Sequence, residues 1–187
     1  VELRLINKCI NTLVLSRALA RHPAINVRCS AVEGNDNYAL RERQMFLGLP
    51  APLFTIDIEG VPADVFQRFF DSLEPMFAHM ISLGQSNTIV SCPALTTHSE
   101  LNAAELAASG ISPTTIRLAV GNEDPKDLMA QFIQSARLAI EPHVPEYICV
   151  QDRGASPKYT PSPEWFREKG YREVFTAPYS ATKAYRV

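Results

Sequence analysis

From residue 53 to 59 large apolar side chains alternate with polar ones. Phe54, Ile56 and Ile58 fall on one side of an extended chain, and Thr55, Asp57 and Glu59 on the other. The pattern predicts a strand with one buried and one open face. The same period of two recurs over 115–120, where Ile116, Leu118 and Val120 oppose Arg117 and Ala119. Helical spacing governs other stretches. Leu3, Ile6, Ile10, Leu13, Val14 and Ala18 predict a helix over 3–21, stopped at His22-Pro23 because a proline disfavours the helical state of the residue before it. Val65, Phe66, Phe69 and Phe70 build an apolar stripe on a helix opened by Pro62 and reaching Leu73. Asp124-Pro125 supplies a helix cap and a proline suited to the first turn, and Leu128, Phe132, Ile133, Ala136 and Ile140 then share one face.

Shorter elements fill the intervals. Residues 25–30 and 88–92 read as strands, and Glu33 to Asn37 as a turn. Tyr38 to Phe46 reads as a helix with Arg41 and Arg43 on its solvent side. Asn102 and Glu105 have the spacing of a capping box, with Gly110 placed to end the short helix between them. A parallel sheet buried on both faces would show unbroken apolar runs, whereas the strands at 53–59 and 115–120 each keep a polar face. The expected fold is therefore α/β: an open, mostly antiparallel sheet of about four strands with helices on one side. Two segments are expected, a main domain over 1–143 and an appended proline-rich tail over 144–187. In the tail, Ser162 to Lys169 suggests a short helix and Tyr171 to Thr176 a strand.

Composition narrows the function. A formal net charge of −2 over 187 residues provides no basic field for a nucleic-acid backbone. No apolar run is long enough to span a membrane and no signal-peptide pattern is present, so a cytoplasmic protein is expected. Cys9, Cys29, Cys92 and Cys149 form no C-x-x-C pair, and the histidines form no cluster at ligand spacing. Free thiols and no metal site follow, with Cys92 read as a small buried hydrophobe. The chain starts at Val1 and enters a helical pattern almost at once, which suggests that it was cut from something longer.

The strand arginine carries the chemistry. A guanidinium facing away from the apolar side of its strand calls for an anion. Arg117 lies in the last of four ordered blocks: Ser82-Leu83-Gly84, Cys92-Pro93-Ala94-Leu95-Thr96-Thr97-His98, Gly110-Ile111-Ser112-Pro113, and Ile116-Arg117-Leu118-Ala119-Val120-Gly121 with Glu123-Asp124 and Asp127-Leu128. In these blocks residues 1–143 resemble the C-terminal domain of the cysteine/methionine-metabolism family of pyridoxal-phosphate enzymes, which includes cystathionine synthases and lyases, methionine lyases and O-acylhomoserine sulfhydrylases. After Gly84 the chain departs from many relatives, with Gln85, Ser86, Asn87 and Thr88 in place of a glycine and a glutamate-serine pair.

The resemblance implies that Arg117, helped by Ser82, holds the α-carboxylate of an amino-acid substrate. It implies that Ile81, before the serine, helps set specificity: an apolar residue there cannot pair the distal ammonium of cystathionine, which favours methionine, homocysteine or an acylated homoserine. It also implies pyridoxal 5'-phosphate, held mainly by an N-terminal domain that this chain lacks, and a parent enzyme that assembles as a homo-oligomer. Lys8, Lys126, Lys158, Lys169 and Lys183 lack the serine- and threonine-rich setting of a Schiff-base lysine, so no catalytic residue is expected in this chain and it should be inactive alone. The alternative is a stand-alone amino-acid-binding or interaction domain without catalysis.

Overall fold

In the computed structural model, residues 2–145 and Tyr147 are described. The remainder of the expected tail, including the helix at 162–169 and the strand at 171–176, lies outside these residues. Helix α1 spans Glu2–Leu19, strand β1 Ile25–Arg28, α2 Tyr38–Gln44, β2 Leu53–Ile58 and α3 Ala63–Asp71. Strands β3 (Ala78–His79) and β4 (Ile89–Ser91) follow, then α4 (Ala103–Ala108), β5 (Thr115–Ala119) and α5 (Pro125–Ala139). The sheet order is β1-β2-β5-β4-β3, and every pairing is antiparallel except that of β3 with β4.

The sheet has five strands where about four were expected. The additional one, β3, is two residues long and carries no alternation to betray it. It exists because the backbone after Phe77 comes to lie parallel to β4, where the Ala78 N–H donates to Thr88 O at 3.0 Å and the Met80 N–H to Val90 O at 3.2 Å. A second correction concerns Arg41, which is buried and not on the solvent side. Its Nε donates to Ser30 O at 2.9 Å and its Nη1 to Gly48 O, so it draws the chain around itself and α2 stops at Gln44.

Alternation along β2 and β5 decides which side is packed. Phe54, Ile56, Ile58, Ile116 and Leu118 bury against Leu13, Leu15 and Leu19 of α1, the phenylalanines of α3, and Leu128, Phe132 and Ala136 of α5. Phe69 and Phe132 meet edge to face with ring centroids 5.1 Å apart, joining α3 to α5. Helices α1, α3 and α5 thus share one core cluster with the apolar side of the sheet. The expected capping box forms: Asn102 accepts from the amides of Ala104 and Glu105, and Glu105 accepts from that of Asn102. Cys92 is fully buried, and burial raises its thiol pKa.

Candidate functional site

Antiparallel register aligns one row of side chains across the polar side of the sheet. Arg28 of β1 stands opposite Thr55 of β2, Thr55 opposite Arg117 of β5, and Arg117 opposite Ser91 of β4. Paired residues point to the same face, so four consecutive strands present Arg, Thr, Arg and Ser in a line. The two arginines fare differently. Arg28 is neutralised by Asp57, which also accepts from Ser112 Oγ at 2.9 Å and from Thr115 Oγ1, and Arg28 Nη1 donates to Gly110 O. The Arg117 side chain, half-buried on the central strand, makes no hydrogen bond or ion pair among the described residues. A partly desolvated guanidinium without a carboxylate of its own leaves donors for one from outside.

Ser82 lies in the connection between β3 and β4. No hydrogen bond joins it to Arg117. Ser82 Oγ accepts weakly from Gln85 Nε2 at 3.4 Å. Ile81 beside it is 60% exposed, so its side chain is free to meet a ligand. Met80, Leu83, Gln85, Ser86 and Asn87 are exposed as well, and this connection buries no apolar side chain of its own.

Polar ties hold the connection in place, and reading the sequence did not find them. At the end of β5, the Gly121 N–H donates to Thr88 Oγ1 at 2.9 Å, and the Asn122 N–H to Ser86 O at 2.7 Å. The Glu123 carboxylate accepts from Thr88 through its amide and, at 2.9 Å, its hydroxyl. Helix α1 adds a second set. Asn7 Nδ2 donates to Asn122 Oδ1 at 3.3 Å, and Asn11 Nδ2 to the carbonyls of Gly121 at 3.1 Å and Glu123 at 2.8 Å. Lys8 Nζ donates to Gly84 O at 2.8 Å and to Gln85 O, and Arg4 reaches Ser86 Oγ. Arg4, Lys8 and Asn11 recur at helical spacing, with Asn7 four residues before Asn11. That polar stripe was the available signal.

Among the described residues no group of three potential metal ligands comes together, and no helix is long and apolar enough to cross a membrane.

Residues 1–137 match the family of Cys/Met metabolism PLP-dependent enzymes. The chain is 35% identical to L-methionine gamma-lyase of Pseudomonas deceptionensis over 138 residues, which cover 73% of this chain and 34% of that protein. It is also 35% identical to O-acetyl-L-homoserine sulfhydrylase 1 of Thermus thermophilus over 92 residues, covering 49% of this chain and 21% of that one. Among solved structures, an O-acetylhomoserine (thiol)-lyase from Campylobacter jejuni superposes with a TM-score of 0.65 at 27% identity, covering 73% of this chain and 32% of the other. That structure carries an N'-pyridoxyl-lysine-5'-monophosphate. A cystathione gamma lyase from Micromonospora echinospora gives a TM-score of 0.63 at 32% identity, over 72% of this chain and 34% of that one. The chain spans about a third or less of the length of these relatives.

Proposed function

Because the chain belongs to the family of Cys/Met metabolism PLP-dependent enzymes, we propose that it is the substrate-binding part of an enzyme acting on sulfur amino acids, with Arg117 and Ser82 holding the substrate α-carboxylate. The observation that carries this reading is the contrast within one row of the sheet. Arg28 has its own carboxylate in Asp57, and Arg117 has none among the described residues. The clamp supplies orientation and binding energy, and the reaction would be elimination or replacement at the β or γ carbon. Ile81 would lie along the substrate side chain and favour methionine, homocysteine or an acylated homoserine over cystathionine.

The family's cofactor is pyridoxal phosphate, whose electron-withdrawing ring supplies the carbanion stabilisation such reactions need. Two lysines fall among the described residues. Lys8 is buried with its ammonium on two backbone carbonyls, and Lys126 is exposed on α5, a helix that packs against the apolar side of the sheet. Neither fits as the cofactor's covalent anchor beside Arg117. The cofactor therefore belongs to the two thirds of the relatives' length that this chain does not span, and residues 1–143 act as the clamping domain of a larger, oligomeric enzyme in the cytoplasm.

The test is a titration of the 187-residue chain with L-methionine, followed by NMR. Shifts should concentrate at Arg117 and around Ser82, be absent with the decarboxylated analogue 3-(methylthio)propylamine, and be lost in Arg117→Ala. Equal shifts from the amine and the amino acid would sink the carboxylate reading.

A further inference from the structure

A compact surface loop can be held by packing its own side chains, and the connection over 80–88 buries none until Thr88. Its middle rests instead on polar ties, one from Arg4 to Ser86 Oγ and the others to backbone groups. Ser86 O is taken by the Asn122 amide, and the two preceding carbonyls, Gly84 and Gln85, are both taken by one ammonium. Lys8, only 4% exposed on the second turn of α1, brings it there. Burial, with Arg4 close by, pulls the Lys8 pKa below the usual lysine range while Glu123 works in the other direction, as expected for a cation set into backbone and not into solvent. The same helix holds the end of β5 through Asn7 and Asn11. One face of α1 therefore grips both halves of the clamp, the loop carrying Ser82 and the strand carrying Arg117.

We propose that Lys8 is a positioning residue for carboxylate recognition: its buried ammonium fixes Gly84 and Gln85 on α1 and so sets where Ser82 stands relative to Arg117. This rests on the reading of Arg117 and Ser82 given above. Lys8 touches neither the ligand nor Ser82. It acts through the two peptide groups that begin two residues after the serine, where Gly84 turns the chain with φ of 79°.

Lys8→Met keeps the stem of the side chain and removes the donors, and Lys8→Gln keeps two donor protons on a shorter reach. In the 187-residue chain, hydrogen exchange of the amides over 83–88 should accelerate at least tenfold in Lys8→Met and less in Lys8→Gln, while β5 and α5 keep their wild-type rates. L-Methionine should bind Lys8→Met about tenfold more weakly than wild type, with the same preference over 3-(methylthio)propylamine. Loop exchange within twofold of wild type in both variants overturns the proposal, as does unchanged affinity for L-methionine. Acceleration spread equally over β5 and α5 also overturns it, because that pattern marks a lysine that merely stabilises the fold. Failure of the wild-type chain to bind L-methionine instead overturns the reading of Arg117 and Ser82, and the exchange rates then report separately on the hold Lys8 has on the loop.

Discussion

At the residue scale, position relative to water separates groups of the same kind. Cys9 sits beside Lys8 on α1, partly buried under the apolar side chains of Ile6, Ile10 and Leu49. Burial pushes its thiol up to about 11 from an ordinary 9.0, with Lys8 opposing the shift. A raised value means that the fold favours the neutral thiol. This contribution to stability is whole below pH 9 and is lost as the pH climbs through 11. Since the thiolate is the nucleophile, Cys9 should react with iodoacetamide at pH 8 about a hundredfold more slowly than an unshifted thiol, following the two-unit shift. Peptide mapping by mass spectrometry would read the rate at Cys9 itself. Arg41 shows the same logic from the other side, a cation that looked solvent-facing by helical position but was needed by the carbonyls of Ser30 and Gly48.

At the scale of elements, the junction from β5 to α5 does several jobs in four residues. Asp124 caps α5 by accepting from the Lys126 amide, Glu123 holds Thr88, and Asn122 holds Ser86. Gly121 is there because of space. A Cβ on it would fall inside contact distance of the Asn87 carbonyl carbon and the Thr88 nitrogen, and backbone atoms cannot step aside as a side chain end can. Gly121→Ala should therefore cost about 3 kcal/mol in a urea titration, near the top of the range for overpacking, and should loosen the 80–88 connection as well. Strands β2 and β5, helices α3 and α5 and the capping box of α4 were legible in the sequence because each is written in a local period or a local spacing. Strand β3 was not, since a two-residue strand is defined only by the neighbour it pairs with. Arg117 was legible for the reason β5 was: it interrupts one side of an alternation. The grip of α1 on Ser82's loop was hidden because its acceptors are backbone carbonyls some 76 residues along the chain, which no side-chain pattern announces.

On the scale of the whole molecule, the proposed function separates a clamp from its chemistry. If so, pyridoxal phosphate followed by borohydride should leave no single lysine of the 187-residue chain labelled stoichiometrically, and peptide mapping should find only scattered surface modification. Stoichiometric capture at one lysine would overturn the assignment of the cofactor to the part of the relatives' length that this chain does not span.

Along β2 and β5 the even-numbered positions face the helices and the odd-numbered ones face away, so adjacent residues answer to different demands. Phe54, Ile56, Ile116 and Leu118 are constrained by volume, whereas Thr55 and Arg117 are constrained by what they meet in solution. Thr55 and Arg117 can therefore be exchanged to change what the molecule meets while the interior stays as it was, whereas Asp57 and Thr115, buried on the same side and hydrogen-bonded to each other, cannot.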